Sequence, residues 1–426
     1  MNSPLLLLLA SKMGYQTRSF AEAARRLGVA VVIGSDRGPR LDDPWSDGAI
    51  PVRFDQPETS ARQLAGDARC GAANGILALG DRQTATAAHA ARLLGLRYNS
   101  PVAVEHCRSK LRQRKVLQAA GLPVPEFFSF HVGEEMEAVL GRAKFPCVLK
   151  PLRLSASQGV IRANDPAEFR AAVARIARLL ASAELRVTRE LEHEHDWILA
   201  ESYIPGAEVA LEGLLERGNL RVLAIFDKPD PLEGPYFEET IYITPSRLPA
   251  QAQESIAECA RRTLRALGLA EGPVHAEFRV NGDGPWVLEA SPRPIGGLCS
   301  RVLRFGPERI PLEELLVRHA VGLPGAGLER EPLAAGVMMI PVPASGVLEE
   351  VTGESEAAAV PGVEEIHITG RLFDFIATWP EGSSYLGFIF ACAESPERVE
   401  AALRQAHAAL RFRITPRLSV AHPTGA

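Results

Sequence analysis

Short apolar segments alternate with amphipathic segments through the first hundred residues. Residues 5–10, 29–34 and 75–79 are apolar runs of strand length, and helix-like patterns such as RSFAEAARRLG and TATAAHAARLLGL accompany them. Strands that alternate with helices are typical of a parallel, doubly wound sheet. We therefore expect a first α/β domain over residues 1–100.

The apolar start of the chain, MNSPLLLLLASKMGYQ, also has some features of a signal peptide. The run is short, however, has no basic segment before it, and continues into a helix pattern. A buried first strand is the preferred interpretation, and no run approaches the length of a transmembrane helix. The sequence thus predicts a cytoplasmic protein that has no membrane partner.

The pattern changes after residue 100. A helical segment, VEHCRSKLRQRKVLQAAGLP, precedes a buried strand at residues 147–150 and a loop rich in serine and glycine. Alternating strands around a Gly-Asn turn, a helix and a hairpin follow, and beyond residue 325 strands with one clear helix indicate an α+β region. We expect domains at residues 1–100, 101–325 and 326–426.

The composition is that of a globular protein with a slight acidic excess. The 426 residues carry a formal net charge of -5, so no basic surplus favours a nucleic acid as partner. Six cysteines are scattered without a Cys-x-x-Cys pair, which predicts reduced thiols rather than a zinc site or a disulfide framework. Only six of the 47 basic residues are lysines, which makes each lysine a candidate for tasks that suit a compact charge, such as phosphate binding.

The segment VHAEFRVNGDGPWVLEASPRPIGG predicts a hairpin with one acid on each strand, Glu277 and Glu289. Because side chains alternate along a strand, a loop with an even number of residues would place the two acids on opposite faces. A three-residue loop that ends with a left-handed Gly284 instead places them side by side. The pairs predicted from this loop are Asn281 with Pro285, Val280 with Trp286, Phe278 with Leu288, Glu277 with Glu289, and His275 with Ser291.

Two opposed acids are destabilising unless something separates or neutralises them. The hairpin by itself allows three interpretations: a solvated face, pairing with Arg279 or Arg293, or a hard cation held between the carboxylates. Mg²⁺ is commonly bound by one or two carboxylates when it also binds phosphate. The rest of the chain therefore has to decide between these interpretations.

Several features, in this order, resemble the ATP-grasp superfamily of carboxylate–amine ligases. They are Lys110 in a helix, Lys150 at the end of a strand before a Ser/Gly loop, the acid-led hinge ESYIPGAE, and the two-glutamate hairpin followed by Arg293. The segments DKPDPLEGPYFEETIYITPS, SPRPIGGLCSRVLRF and SYLGFIFA are most similar to the L-amino acid ligases, which form dipeptides. The resemblance covers roughly residues 5–420 and implies an α/β ATP-grasp fold with an N-terminal doubly wound domain, a central domain for nucleotide and metal, and a C-terminal α+β domain.

The resemblance implies an ATP site. Lysines contact phosphate oxygens as point charges, a loop donates backbone N–H and hydroxyl groups, and carboxylates accept from the adenine amine and the ribose hydroxyls. The residues implied for these tasks are Lys110, Lys150, Ser155, Ser157, Gly159, Glu201, Tyr203, Ile204, Glu208 and Lys228. Lys115 is an alternative to Lys110 on the same helix, and Lys228 contacts either a phosphate or a substrate carboxylate.

The resemblance also favours the cation among the interpretations of the hairpin. Glu277 and Glu289 match the ligands of one or two Mg²⁺ ions, with Mn²⁺ as an alternative ion. Many members of the superfamily carry asparagine where this chain has Ser291, and a serine hydroxyl reaches less far. A second ion is therefore less well supported by the sequence than the first.

The remaining residues implied by the resemblance surround the reacting groups. Lys150 and Arg293 are the catalytic candidates. A planar arginine suits the negative charge of a transferring phosphoryl group, and a lysine suits phosphate oxygens as a point charge. Gly296 and Gly297 let the backbone approach the intermediate, and Glu239 and His275 are candidates for substrate contact. His275 could equally be a histidine that only packs in the core.

The function implied is the ATP-dependent joining of an amino acid carboxylate to an amine through an acylphosphate, with release of ADP and phosphate. Two alternatives stay open: activation of bicarbonate or formate on the same scaffold, or a nucleotide-binding subunit without turnover. The partners implied are small amino acids and a second copy of the chain in a homodimer.

Overall fold

The computed structural model describes residues 3–11, 14–36, 48–182, 185, 194–325, 327–382 and 384–416. Among these residues, no helix combines the length and the apolar character needed to span a lipid bilayer. All six cysteines lie in the described part and are free thiols, as their scattered spacing predicted.

The N-terminal region is a four-stranded parallel sheet in the order β3-β2-β1-β4. Its strands are β1 (Leu5–Ala10), β2 (Ala30–Ser35), β3 (Ile50–Pro51) and β4 (Gly75–Leu79), and its helices are α1 (Tyr15–Arg26), α2 (Pro57–Gly66) and α3 (Asp81–Leu94). Leu6 and Leu8 pack in one hydrophobic cluster while Leu7 and Leu9 pack in another on the opposite face. Burial on both faces is why β1 is a continuous apolar run, and it confirms the strand interpretation of the chain's start.

Two helices connect this sheet to the next, α4 (Pro101–Arg108) and α5 (Lys110–Ala119). The sequence pattern predicted one continuous helix here, and that expectation was wrong. Ser109 has extended backbone angles and its hydroxyl accepts from the N–H of Arg112, so it ends one helix and caps the next. The cap places Lys110 at the first position of α5.

A small antiparallel sheet follows, in the order β5-β8-β6-β7. It contains β5 (Phe127–His131), β6 (Cys147–Pro151), β7 (Ile161–Ala163) and β8 (Trp197–Ser202), with α6 (Met136–Leu140) and α7 (Pro166–Leu180) beside it. Ile176 and Phe169 of α7 pack with Leu149 and Ile198 of the sheet in a buried cluster. The loop between β6 and β7 contains residues 155–159, which we call the Ser/Gly loop.

The largest sheet has eight strands in the order β13-β12-β9-β10-β11-β16-β20-β18. Their bounds are β9 (Ala207–Glu216), β10 (Asn219–Asp227), β11 (Ile241–Thr244), β12 (Gly272–Asn281), β13 (Gly284–Ser291), β16 (Ala334–Ile340), β18 (Val363–Ile368) and β20 (Gly387–Ala393). Helices α8 (Ala250–Leu267) and α11 (Pro396–Ala409) pack on it. Because β11 pairs with β16, one sheet continues across the boundary predicted at residue 326.

The remaining described elements lie outside these three sheets. They are β14 (Arg304–Phe305), β15 (Ile310–Pro311), β17 (Gly346–Thr352), β19 (Phe375–Ile376), β21 (Arg411–Thr415), α9 (Leu312–Val321), α10 (Glu354–Ala358) and a 3₁₀ turn at Cys299–Val302. Strands β19, β17 and β21 form a separate three-stranded sheet in the C-terminal region. The fold is the mixed α/β arrangement that the sequence predicted, parallel at the N-terminus and antiparallel elsewhere.

The β12–β13 hairpin pairs Glu277 with Glu289 and His275 with Ser291, as predicted. Gly284 has a φ of 105°, which is also as predicted. The three-residue loop from which this register was predicted is wrong, however. Asn281 pairs with Gly284 across a two-residue loop, and the extra residue of a β-bulge lies at Leu288.

The displaced bulge changes the pairs between the turn and the acids. Val280 pairs with Pro285, and Phe278 pairs with Val287 in the core rather than with Leu288. Leu288 instead lines a pocket on the other face of the hairpin. A two-residue loop alone would have separated the acids, so the bulge is what returns them to one face.

Candidate active site

One pocket lies between the small antiparallel sheet and the hairpin end of the large sheet. Its empty space, including the part open to solvent, is about 950 Å³, which is large enough for a nucleotide and a small substrate. The predicted site residues that line it are Lys110, Lys150, Ser155, Ser157, Glu201, Tyr203, Ile204, Glu208, Glu239, His275, Glu277, Glu289 and Arg293. Lys228, Gly159, Gly296 and Gly297 do not line it, although Lys228 is paired with Glu208 and Gly159 belongs to the loop that contributes Ser155 and Ser157.

Lys150 lies near the end of β6 and projects into this pocket. Its Nζ is 2.6 Å from Glu201 Oε2, while Arg114 Nε donates to Glu201 Oε1 at 2.5 Å. Burial would raise the pKa of Glu201, but the charges of Arg114 and Lys150 outweigh burial and lower that pKa to about 2. The Glu201 carboxylate therefore orients Lys150, and only its remaining lone pairs are left for a ligand.

Lys110, at the first position of α5, lines the same pocket. Its Nζ donates to the backbone oxygen of Leu154 at 2.5 Å and lies 3.7 Å from Glu289 Oε2. Lys115, the alternative on the same helix, is exposed and does not line the pocket. The geometry favours Lys110 over Lys115.

The Ser/Gly loop closes one wall of the pocket in an unusual backbone conformation. Ala156, Ser157 and Gly159 have φ values of 54°, 53° and 72°, which is the left-handed region that bulky residues seldom adopt. Residues 379–381 of the C-terminal region hold the loop there. Trp379 Nε1 donates to Ala156 O at 3.3 Å, and the N–H of Gly159 donates to Pro380 O at 3.1 Å.

Arg279 is a site residue that the sequence analysis did not assign to the pocket's function. It donates to Glu208 Oε2 at 3.1 Å, to Tyr203 Oη at 2.7 Å and to the backbone oxygen of Ile204 at 2.9 Å. The suggestion that Arg279 neutralises the paired acids is wrong, because its carboxylate partner is Glu208. Arg279 is two residues from Glu277 on β12, so strand alternation placed it on the pocket face.

Lys228 lies at the centre of an acidic cluster formed by Glu208, Glu239 and Glu277. Its Nζ is 2.8 Å from Glu208 Oε1 and 3.5 Å from Glu277 Oε2, and it also donates to Glu239. Burial lowers the pKa of Lys228, but the three carboxylates hold that pKa well above its usual value. One oxygen from each acid lies within 4.8 Å of the others.

Lys228 already neutralises the acids of this cluster, so a hard cation is better matched by the pair Glu277 and Glu289. Mg²⁺ prefers carboxylate oxygen, and Glu277 belongs both to the cluster around Lys228 and to the predicted pair with Glu289. Burial raises the pKa of Glu277, but Lys228 and His275 outweigh burial and lower it, so this carboxylate is ionised. An ionised acid beside Glu289 in one pocket fits the metal that the sequence predicted.

His275 is buried between two acids. Its Nδ1 contacts Glu212 Oε1 and its Nε2 is 3.2 Å from Glu277 Oε1. Burial would lower the pKa of His275, but Glu212 and Glu277 raise it to about 9. Glu212, which the sequence analysis did not single out, also accepts from the N–H of Ile295 at 3.2 Å.

Arg293 follows the hairpin and is held by helix α3 of the N-terminal region. Its Nε and Nη2 donate to the two oxygens of Asp81, at 2.9 and 3.0 Å. Asp81 is the first residue of α3 after β4, so a sequence-distant carboxylate orients the predicted catalytic arginine. Gly297 has a φ of 63°, and a side chain there would crowd the ring of Phe388.

Two family models match the chain. Residues 143–302 match the ATP-grasp domain, and residues 338–415 match the L-amino acid ligase C-terminal domain 2. The crystal structure of L-amino acid ligase from Bacillus licheniformis is similar over 97% of this chain and 100% of that chain, with a TM-score of 0.81 and 28% identity. The N5-carboxyaminoimidazole ribonucleotide synthetase of Thermotoga maritima, at 16% identity and a TM-score of 0.68, shares the fold.

Curated relatives show the same similarity. The alanine–anticapsin ligase of Bacillus subtilis is 28% identical over 336 residues, which is 74% of this chain and 70% of that protein. The uncharacterized protein y4rH of Sinorhizobium fredii is 27% identical over 96% of this chain and 83% of its own length. The D-alanine–D-alanine ligase of Aromatoleum aromaticum is 30% identical over 43% of this chain and 56% of that protein.

Proposed function

Because the chain is an ATP-grasp ligase related to the L-amino acid ligases, we propose that it joins the carboxylate of one amino acid to the amine of another. ATP supplies the phosphoryl group that activates the carboxylate, and ADP and phosphate are released. The observation that carries this proposal is the pocket itself. It brings Lys110, Lys150, the paired acids and Arg293 together from three separate parts of the chain.

The nucleotide end of the pocket is formed by the small sheet and the Ser/Gly loop. Lys110 and Lys150 supply charge for phosphate oxygens, and Glu201 fixes the position of Lys150. Val148, Val160 and Phe237 line the same pocket and provide apolar surface for a base. Tyr203, Ile204 and Glu208 lie beside them and are the proposed contacts for adenosine.

Glu277 and Glu289 are the proposed ligands of Mg²⁺, whose charge would neutralise the nucleotide phosphates. Mn²⁺ is the proposed substitute ion. Ser291 lines the pocket and is opposite His275 in the hairpin, and its hydroxyl is hydrogen-bonded to the carboxylate of Asp81.

Arg293 is the proposed group that stabilises negative charge on the transferring phosphoryl group and the acyl carbon. Asp81 fixes two of its nitrogens, which restricts the side chain before substrate binds. Glu239 lines the pocket and is held by Lys228 and by the hydroxyl of Tyr242, at 2.7 Å. Its carboxylate is the proposed contact for a substrate ammonium group. The homodimer and the cytoplasmic location stay predictions.

The proposal is tested by measuring phosphate release with ATP, Mg²⁺ and pairwise mixtures of amino acids, followed by product masses. We expect ADP, phosphate and a dipeptide mass for at least one pair, and little phosphate with ATP alone. Formation of AMP and pyrophosphate would overturn the proposal. Phosphate release that depends on bicarbonate or formate, and on no amino acid, would also overturn it.

A further inference from the structure

Glu212 is a carboxylate in the large sheet, on the strand next to the one that carries Glu277. It lies on β9 directly opposite His275 on β12, and only 1% of the residue is exposed. It does not line the pocket, and the proposed reaction assigns it no contact with substrate. A charged group at such a position is costly unless its oxygens are well paired.

Both oxygens of Glu212 are paired, and each partner leads toward the site. Oε1 contacts His275 Nδ1, and His275 Nε2 is 3.2 Å from Oε1 of Glu277. Oε2 accepts the backbone N–H of Ile295 at 3.2 Å, two residues after Arg293. One buried carboxylate is thus connected to a proposed metal ligand and to the segment that carries the proposed catalytic arginine.

We propose that Glu212 is a positioning residue which, through His275, holds the carboxylate of Glu277 in the orientation that binds a divalent cation. This inference rests on the assignment of Glu277 in the proposed function. Because His275 contacts Glu277 through Nε2, rotation of the imidazole ring would move Nε2 away from the Glu277 carboxylate. Glu212 restrains that rotation by holding Nδ1.

The same carboxylate fixes the backbone beside Arg293. Gln16 of α1 donates to the carbonyl of Ile295 at 3.2 Å while Glu212 accepts from its N–H, so both polar backbone groups of Ile295 are held by side chains. The metal-binding acid and the arginine segment therefore share one rigid support. Movement of either would disturb the other through Glu212.

The test is the substitution Glu212→Gln, which keeps the size of the side chain and removes its charge. Mn²⁺ affinity is measured by electron paramagnetic resonance in the presence of ADP, and ADP affinity is measured separately without metal. We expect Mn²⁺ to bind about 10–100-fold more weakly, as is usual when an outer partner of a metal ligand is lost. ADP affinity without metal should be unchanged.

Glu313→Gln is the matched control. Glu313 is also buried, at 3% exposed, accepts from Ser300 Oγ at 2.6 Å and lies outside the pocket lining. We expect this variant to keep the Mn²⁺ affinity of the unsubstituted protein. In the background of Glu277→Gln, Glu212→Gln should cause little further loss of Mn²⁺ affinity, because substitutions of residues that act through one another do not have additive effects.

Unchanged Mn²⁺ affinity in Glu212→Gln would overturn the inference, and so would an equal loss of metal-free ADP affinity, which indicates a merely structural role. If Glu212→Gln does not fold, His275→Gln takes its place with the same expected losses. The same measurements distinguish a failure of this inference from a failure of the proposed function. A protein that binds Mn²⁺ and ADP and loses Mn²⁺ in Glu212→Gln, yet ligates no amino acids, supports this inference and refutes the ligase.

Discussion

The acids of the pocket differ in how closely basic groups approach them. Glu201 is paired with Arg114 and Lys150, Glu208 with Lys228 and Arg279, and Glu277 with Lys228 and His275. Glu289 lies 3.7 Å from Lys110, beyond hydrogen-bond distance. A cation entering the pocket would therefore meet the least competition at Glu289.

This difference leads to a prediction for the two proposed metal ligands. Glu289→Gln and Glu277→Gln each replace a charged oxygen with a neutral amide, so both should raise the Mg²⁺ concentration needed for half-maximal phosphate release. We expect this Mg²⁺ concentration to rise by more than the ~10–100-fold loss of metal affinity that follows removal of an outer partner of a metal ligand. The loss should be larger for Glu289→Gln, because Lys228 and His275 already occupy part of Glu277.

Glu365→Gln is the control for this pair of variants. Glu365 is paired with Arg301 at the surface, at 2.7 Å, and lies outside the pocket lining. Its substitution should leave the Mg²⁺ dependence unchanged. Near-normal turnover of both Glu277→Gln and Glu289→Gln at limiting Mg²⁺ would exclude this carboxylate pair as the metal site.

Single residues also show how far sequence reasoning reached into the site. Lys150 was identified because it closes an apolar strand before a Ser/Gly loop, and it lines the pocket. Glu212 and Asp81 were not identified, because each acts on a residue more than sixty positions away in the chain. Such contacts depend on strand pairing and domain packing, which no local pattern records.

At the scale of the element, the β12–β13 hairpin shows that a correct register can follow from an incorrect loop. Parity required one extra residue on one strand, and the sequence placed it at the Gly-rich turn. The structure places it at Leu288, where the bulge turns an apolar side chain toward the pocket. The sequence determines that an extra residue is needed, but its position depends on packing of Phe278 and Val287 in the core.

The Ser/Gly loop is an element held by a distant segment. Besides the contacts of Trp379 and Pro380, Gln158 Nε2 donates to the backbone oxygen of Glu381 at 3.0 Å. The Glu381 carboxylate is paired with Arg175 of α7, at 2.5 and 2.7 Å. The C-terminal region thus stabilises a loop conformation that its own sequence does not favour, since Ala156 and Ser157 are left-handed.

We therefore predict that Trp379→Phe weakens ATP binding. The change keeps an aromatic ring at a site that is 4% exposed and removes the indole N–H that donates to Ala156. Loss of one hydrogen bond typically costs about 0.5–1.5 kcal/mol, which corresponds to a roughly 2–10-fold rise in the Kd of ATP. Isothermal titration calorimetry with ATP measures this Kd.

Trp286→Phe is the matched substitution for this experiment, because Trp286 lies on β13 outside the pocket lining. It should leave ATP affinity unchanged. If Trp379→Phe binds ATP as tightly as Trp286→Phe, the indole contact does not hold the loop in a binding conformation.

At the scale of the whole molecule, the pocket depends on all three regions predicted from the sequence. The N-terminal region supplies Asp81 to Arg293, the central region supplies the lysines and acids, and residues 379–381 hold the Ser/Gly loop. The boundary at residue 326 was predicted from a change in the pattern of strands and helices, yet β11 and β16 pair across it. Local patterns predicted strands on both sides of this boundary, but which strands pair with one another depends on the complete chain.

The whole-molecule arrangement also makes the order of chemical events testable. If a carboxylate is phosphorylated before the amine arrives, hydroxylamine should enter in place of the amine and attack the acyl carbon. The carbon–nitrogen bond forms as the bond to the phosphate oxygen breaks, giving a hydroxamate of the first amino acid and inorganic phosphate. We expect this hydroxamate only when ATP and Mg²⁺ are both present, detected by its mass and its coloured iron complex.

Arg293→Ala should suppress that hydroxamate, because Arg293 is the proposed donor to the developing charge and is already oriented by Asp81. Loss of one preorganised donor typically lowers the rate by a factor of about 10²–10³. Arg301→Ala is the control, since Arg301 is paired with Glu365 at the surface and lies outside the pocket lining. Equal hydroxamate yields from the two variants would remove Arg293 from the chemistry, whereas hydroxamate accompanied by AMP would show that the carboxylate is activated as an adenylate and not as an acylphosphate.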